Sequence, residues 1–236
     1  MSPYIYQSAG EQTRTTCAQR TKLFLFYVKI TYSVMEACMR PDPAQYPALA
    51  TPVLVLGAAY TGKSELAHKT LDPERRTLVI GTADMSEGLI ALRVAELRRQ
   101  RPAHWVHHDG ILDLGAHLRA QARDYEQILV DSINQWVANL VLTHAQKYSM
   151  DQLLPLCERE VFDFCAAVEE TRQLTRIVLV SSEVGAGITP PKPVARLFRQ
   201  LVSRINCRLA EHAAAVLLVS AGIPMLIKGE WPNLPQ

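Results

Sequence analysis

Residues 53–70 read VLVLGAAYTGKSELAHKT, an apolar run leading into Gly57-Ala58-Ala59-Tyr60-Thr61-Gly62-Lys63-Ser64 and then into helix-like sequence. This is a complete G-x-x-x-x-G-K-[ST] phosphate loop in the strand-to-helix context that it requires. Val53 to Leu56 read as a buried strand. The glycines let successive backbone N–H groups curl round an anion at the N-terminus of the next helix, where the helix dipole also favours negative charge. Lys63 is placed to reach the β- and γ-phosphates and Ser64 to hold Mg²⁺.

Outward from this loop the chain falls into unequal parts. Residues 1–50 form an N-terminal extension: Ser2 to Arg20 is polar and aperiodic, Lys22 to Val34 is apolar and β-prone, and Pro41, Pro43, Pro47 and Pro52 punctuate a linker. The extension is expected to be partly disordered. Either it is an amphipathic docking piece, or it comes from an upstream start codon with Met35 or Met39 as the true beginning. Residues 51–229 are expected to form the nucleotide-binding domain and 230–236 a tail.

From Pro52 onward, β-prone runs at 52–56, 77–81, 104–108, 127–131, 177–181, 216–220 and 225–228 alternate with helical periods near 63–71, 86–100, 114–123, 133–147, 157–172 and 194–213. Such alternation predicts an α/β, phosphate-loop NTPase-like fold, with a mostly parallel sheet and helices on both faces. Ala221-Gly222-Ile223-Pro224 is too short for a crossover, so the last two runs are expected to form an antiparallel hairpin.

Composition narrows the function. At 236 residues and 48% hydrophobic content the chain can bury a substantial core. Its formal net charge of +2, without a long basic run, gives no electrostatic case for nucleic acid as a partner. The cluster Arg98, Arg99 and Arg101 reads as a solvated helix end, with phosphate contact the lesser alternative. The five scattered cysteines contain no C-x-x-C pair, which suggests neither disulfides nor zinc and fits a cytoplasmic location. The run Leu23 to Val28 is too short to span a bilayer, so no transmembrane segment is expected.

Two further stretches carry chemistry. Asp131 ends the strand QILVD and reads as ordering Mg²⁺ beside the phosphate loop, as capping the helix starting near Ser132, or as doing both. SSEVGAGITP (181–190) follows a parallel strand at the end where ligands bind in such sheets. In the next helix Arg196, Arg199, Ser203 and Asn206 share a side that reads, without further information, as solvated surface.

Together these pieces resemble the adenosylcobinamide kinase/adenosylcobinamide-phosphate guanylyltransferase family of cobalamin biosynthesis. The resemblance runs from about Val53 to Lys228. It includes GAAYTGKS, a strand ending Gly81-Thr82, Arg93 followed by Arg101-Pro102-Ala103-His104-Trp105, ILVDSINQWVANLV with Asp131 and Asn139, and SEVGAGITP followed by Arg196-Leu197-Phe198-Arg199 and Asn206. It implies a homo-oligomer, commonly a trimer, that uses ATP or GTP with Mg²⁺. A nucleoside triphosphate first phosphorylates the aminopropanol hydroxyl of an adenosylcobinamide-type corrinoid. A guanylyl group then passes to that phosphate through a histidine. Carried over by position, Gly57, Ala58, Ala59, Tyr60, Thr61, Gly62, Lys63 and Ser64 bind phosphates, Thr82 lies near the nucleotide, Asp109 stands where the family usually has Glu, and Asp131 serves the metal with Ser64.

One position departs from this pattern. Counting back from Arg101-Pro102 places Glu96, with Leu97 beside it, where the family has its guanylyl-accepting histidine. Covalent catalysis there needs a nucleophile that is neutral near pH 7. Each unit-charge repulsion between Glu96 and a triphosphate at ~4 Å costs about 4 kcal/mol at an effective dielectric of about 20. The stretch Ser86-Glu87-Gly88-Leu89 is altered as well, whereas His104, His107 and His108 read as core or surface residues rather than as a relocated nucleophile. The kinase step is therefore expected and the guanylyl step is in doubt. Two rivals remain: a non-catalytic nucleotide-binding relative that controls assembly or a partner, and a kinase for an unrelated metabolite, which SEVGAGITP opposes.

Overall fold

A computed structural model describes residues 49–83 and 88–231. The expected N-terminal extension, except for Leu49 and Ala50, lies outside the described residues, as do Ser86, Glu87 and most of the tail. The elements are β1 (Val53–Gly57), α1 (Lys63–Lys69), β2 (Thr77–Gly81), α2 (Gly88–Arg99), β3 (Val106–Asp109), α3 (Leu114–Gln121), β4 (Gln127–Asp131), α4 (Ile133–Ala145), α5 (Met150–Thr171), β5 (Arg176–Val180), α6 (Pro193–His212), β6 (Ala215–Ser220) and β7 (Ile223–Lys228).

The strands form one seven-stranded sheet in the order β3-β2-β4-β5-β1-β6-β7. Every neighbouring pair is parallel except β6 with β7. This is the expected α/β, phosphate-loop-like architecture. Strand side chains alternate between two cores, which is why β1, β2 and β4 read as unbroken apolar runs. Leu54, Ile80, Val130 and Leu179 share one core with Trp136 of α4, Phe164 of α5 and Leu201 of α6. Val55, Val79, Leu129 and Val178 share the other with Leu66 of α1 and Trp105.

Three local differences from the sequence expectation have physical causes. α5 starts at Met150 rather than 157, because Ser149 and Gln152 form a reciprocal capping box and the helix continues through Pro155. β3 starts at Val106 rather than 104. Pro102 to Trp105 makes a turn closed by Trp105 N–H to Pro102 C=O at 3.1 Å, and the indole is buried beside α1. β7 starts at Ile223, leaving Ala221 and Gly222 as a two-residue connection with φ of 50° and 80°. That geometry suits the twist of an antiparallel hairpin, and Pro224 is tolerated because β7 is an edge strand.

The strand order positions the candidate site. The chain leaves β1 across β5 and β4 towards β2, whereas it leaves β5 in the other direction, across β1, towards β6. Loops at the C-terminal ends of β1 and β5 diverge at this reversal, which is where open parallel sheets bind ligands.

Candidate functional site

The phosphate loop begins where β1 runs out of room for side chains. A methyl group on Gly57 would lie 2.4 Å from the Val219 carbonyl oxygen and 2.8 Å from Thr61 Oγ1, so only glycine lets β1 turn here while staying paired with β6. Gly62, with φ of 90°, is the N-cap of α1, and Leu66 N–H to Gly62 C=O at 2.9 Å closes the first helical turn. Lys63 and Ser64 are buried, whereas Ala58, Ala59 and Tyr60 are exposed. Lys63 Nζ and Thr61 Oγ1 both donate to the Ala58 carbonyl, the latter at 2.9 Å.

Asp131 closes the site from β4. Ser64 Oγ donates to Asp131 Oδ1 at 3.0 Å, although the two residues are 67 positions apart. The N-cap of α4 is Ser132, whose side chain makes no cap hydrogen bond. A hydroxyl beside a carboxylate is a pair of hard oxygen donors, and a P-loop lysine stands next to it. The residues present therefore fit a small divalent cation shared with phosphate oxygens.

The other expected site residues, Thr82 and Asp109, are each held by partners from neighbouring elements. Thr82 is buried and its hydroxyl is engaged twice, donating to Ser132 C=O at 2.6 Å and accepting from Ser132 N–H at 2.8 Å. Its carbonyl accepts from Asn139 Nδ2 at 2.8 Å. Thr82 thus ties the end of β2 to the end of β4. Asp109 lies on β3, the strand farthest along the sheet from β1 on that side, and pairs with Arg98. Gly81 admits this carboxylate, since a methyl there would meet Asp109 Oδ1 at 2.3 Å. Glu96 lies on α2 in an ion pair with Arg99, and Leu97 is buried against a pocket also lined by Val79, Val94, Asp109 and Asp131.

The loop after β5 runs against the phosphate loop. Glu183 N–H donates to Gly57 C=O at 3.0 Å, and Ser181 N–H donates to Val55 C=O at 2.9 Å. Side chains of α6 hold the rest of this loop. Asn206 Nδ2 donates to Ser182 C=O at 3.0 Å, Arg199 to Gly185 C=O, and Arg196 to Pro191 C=O at 2.6 Å. The expectation that this side of α6 is merely solvated is therefore corrected: these donors satisfy carbonyls that have no ladder partner.

The arginine cluster also needs correction. Arg98 and Arg99 form partly exposed pairs, but the Arg101 side chain is only 6% exposed and lies 3.5 Å from Asp131 Oδ2. It also meets His68 on α1 at 2.9 Å and His107 on β3 at 3.3 Å. Burial drives His68 well below the ordinary histidine pKa, aided by Arg101 and His107. Burial, followed by Arg101 and Arg98, pushes His107 down to about 4. His68 was legible only as a residue four positions after Ser64, hence on the same helix face. Arg101 opens the Arg101-Pro102-Ala103-His104-Trp105 segment, but nothing in that local pattern states its burial against Asp131. His104 is exposed in the turn before β3, and His108 pairs with His117 at 2.9 Å.

With this geometry in view, a family model described as cobinamide kinase / cobinamide phosphate guanyltransferase matches residues 53–227. The chain belongs to this family. It is 36% identical over 180 residues to the bifunctional adenosylcobalamin biosynthesis protein CobP of Pseudomonas aeruginosa, covering 75% of this chain and 97% of that relative. It is 33% identical over 181 residues to the bifunctional adenosylcobalamin biosynthesis protein CobU of Salmonella typhimurium and 30% identical over 181 residues to its Escherichia coli counterpart. Each of those matches covers 75% of this chain and 99% of the relative. The matched segment begins with β1 and ends within β7, so it takes in all seven strands except Lys228.

Proposed function

We propose that this member of the family binds ATP or GTP with Mg²⁺ at Gly57 to Ser64 and phosphorylates an adenosylcobinamide-type corrinoid, without forming a guanylyl-histidine. The 3.0 Å contact between Ser64 and Asp131 at the phosphate loop carries this reading. The backbone N–H groups of Gly57 to Ser64 and the Lys63 ammonium bind the phosphates. Thr82 and Asp109 border the nucleotide side of the site. Ser64 and Asp131 hold Mg²⁺, which when bound neutralises charge on the transferring phosphoryl group. Phosphoryl transfer asks mainly for positioning and a cationic cradle, and these residues supply both.

For the second step, α2 spans GLIALRVAELRR and contains no histidine. Glu96 and Leu97 at the nucleophile position offer an anion and a buried alkyl group, neither of which accepts a guanylyl group as imidazole does. The catalytic unit spans 51–229, with 1–50 and 230–236 as appendages, and works in the cytoplasm. It assembles as a homo-oligomer, a trimer by family resemblance. Exposed Ile223, Met225 and Ile227 alternate along the edge strand β7, as an apolar contact between copies requires. Among the described residues no helix is long and apolar enough to cross a membrane.

The test is incubation of the protein with adenosylcobinamide, Mg²⁺ and ATP or GTP labelled at the α- or γ-phosphate. The expected result is transfer of γ-label to the corrinoid, abolished by Lys63→Ala, with no α-label retained on denatured protein. Nucleotide binding without any transfer would favour the non-catalytic reading. Acid-labile α-label on the protein would overturn the loss of the guanylyl step.

A further inference from the structure

Arg101 follows the end of α2 and approaches the phosphate-loop site from the β3 side. A guanidinium remains charged and carries five N–H donors, so burying it is costly unless acceptors are fixed around it. Three acceptors are present, each from a different element. Arg101 Nε donates to His68 Nε2 on α1 at 2.9 Å, Nη1 lies 3.3 Å from His107 Nδ1 on β3, and Nη2 lies 3.5 Å from Asp131 Oδ2 on β4. His68 and His107 are held neutral at pH 7, chiefly by burial, so each offers an unprotonated ring nitrogen rather than a competing positive charge.

The two oxygens of Asp131 are divided by this arrangement. Oδ1 accepts from Ser64 Oγ at 3.0 Å, and Oδ2 faces Arg101. A carboxylate held on one side by a buried guanidinium cannot rotate freely, and its other oxygen stays turned to the phosphate loop. We propose that Arg101 is a positioning residue which, with His68 and His107 as its fixed acceptors, sets the orientation of the Asp131 carboxylate at the cation site. This inference rests on the function proposed above.

Positioning and simple charge effects predict opposite signs. Were Arg101 only a competing cation beside Asp131, removing it would strengthen Mg²⁺ binding. Loss of an orienting outer partner instead weakens it, typically by about 10- to 100-fold in metal affinity.

The readout is the ratio of nucleotide Kd in EDTA to Kd in Mg²⁺, measured by calorimetry with a non-hydrolysable β,γ-imido triphosphate so that no turnover contributes. In Arg101→Gln this ratio is expected to fall about tenfold while the Kd in EDTA stays within about twofold of wild type. An unchanged or higher ratio overturns the inference, as does an equal loss with and without Mg²⁺, which marks a packing role alone. Should Arg101→Gln not fold, His107→Ala carries the test, with a fall in the same ratio of about threefold expected and no change overturning it. Asp131→Asn separates the two levels of argument. If wild type and Asp131→Asn share one ratio, or wild type binds no nucleotide, both readings fall. If Asp131→Asn loses the Mg²⁺ effect and the Arg101 and His107 variants keep it, only the positioning role falls.

Discussion

Adding one methyl group at Gly57 tests the geometry of the phosphate loop. In Gly57→Ala the new carbon would sit 2.4 Å from the Val219 carbonyl oxygen, 2.8 Å from Thr61 Oγ1 and 3.3 Å from Lys63 Cδ. Relief from the carbonyl requires a retreat of about 1 Å towards ordinary contact distance. The obstacle is backbone of β6, paired with Gly57 in the parallel ladder, and no rotamer change can move it. Two escapes exist. β1 and β6 separate locally, which appears as lost stability, or Gly57 shifts and carries the phosphate loop with it, which appears as lost nucleotide affinity. Gly57 C=O also accepts from Glu183 N–H at 3.0 Å, so the second escape disturbs the loop after β5 as well. Overpacking of this kind costs about 1–3 kcal/mol, and the two losses together are expected to reach that range. If the cost fell entirely on binding, Kd would rise between about fivefold and about a hundredfold. Urea unfolding followed by tryptophan fluorescence gives the first loss as a shift in midpoint at constant slope. Calorimetric titration with the Mg-nucleotide gives the second. A variant that unfolds and binds as wild type does would refute the close approach of β1 to β6 and the loop geometry built on it.

Other perturbations reach different parts of the molecule. Trp136 is 1% exposed, 5.3 Å from Phe164 between ring centroids, and its indole N–H donates to Leu112 C=O at 2.6 Å; Trp136→Ala is expected to lower unfolding free energy by about 3–5 kcal/mol, and a loss below about 1 kcal/mol would contradict its burial. His107 titrates at about 6.5 when unfolded, and burial lowers it to about 4 when folded, so the unfolded chain binds more protons between those values. Stability should therefore fall as pH drops through that window and level off below it; His107→Gln should flatten this part of the profile, and an unchanged slope would refute the assignment. Asn206→Ala strands the Ser182 carbonyl that it now serves; about 1–3 kcal/mol of local stability should be lost, seen as faster amide exchange at Gly185, and unaltered exchange would remove the clamp role. Under the proposed function, Glu96→His is expected to gain acid-labile label from [α-³²P]GTP only if the neighbouring loop is still competent, whereas label on wild type would show that a nucleophile persists.

The parts of the fold that were legible in the sequence are those set by local pattern. Buried parallel strands show as unbroken apolar runs, and the phosphate loop fixes one strand and one helix through backbone needs that only its glycines meet. Strand order was not legible, because no local residue states that β5 pairs with β1 or that β6 lies on the far side. The start of α5 was readable in Ser149 and Gln152, but Pro155 masks it for anyone counting helix breakers. At the site, Ser64 is fixed by the phosphate-loop motif, whereas Asp131 shows only as the carboxylate ending an apolar strand, a pattern that fits a metal role and a helix cap alike. Arg101 was misjudged for another reason. Its neighbours in sequence are exposed arginines, whereas its partners come from α1, β3 and β4, and its burial is a property of the assembled fold.

The same distinction bears on how a two-step enzyme of this family can lose one step and keep the other. Under the proposed function, the kinase parts come from β1, α1, β4 and the loop after β5. Their polar backbone ends are already secured: Thr82 joins β2 to β4, Asn139 holds Thr82, and Asn206 and Arg199 hold the loop after β5. Each bond leaves a site that needs little ordering when ligand arrives, which lowers the entropic cost of binding. Glu96, at the position where the resemblance implies the guanylyl acceptor, belongs by contrast to α2, which contributes none of these bonds. Glu96 pairs with Arg99 inside its own helix, a partly exposed ion pair worth little to the fold. Under the proposed function, the presence of Glu96 in place of a nucleophile therefore leaves Lys63, Ser64 and Asp131 undisturbed. This independence ends at two arginines: Arg98 of α2 pairs with Asp109, and Arg101, just after α2, reaches Asp131. Substitutions within α2 that leave Arg98 and Arg101 in place should spare the phosphoryl step, and those that displace Arg101 should not.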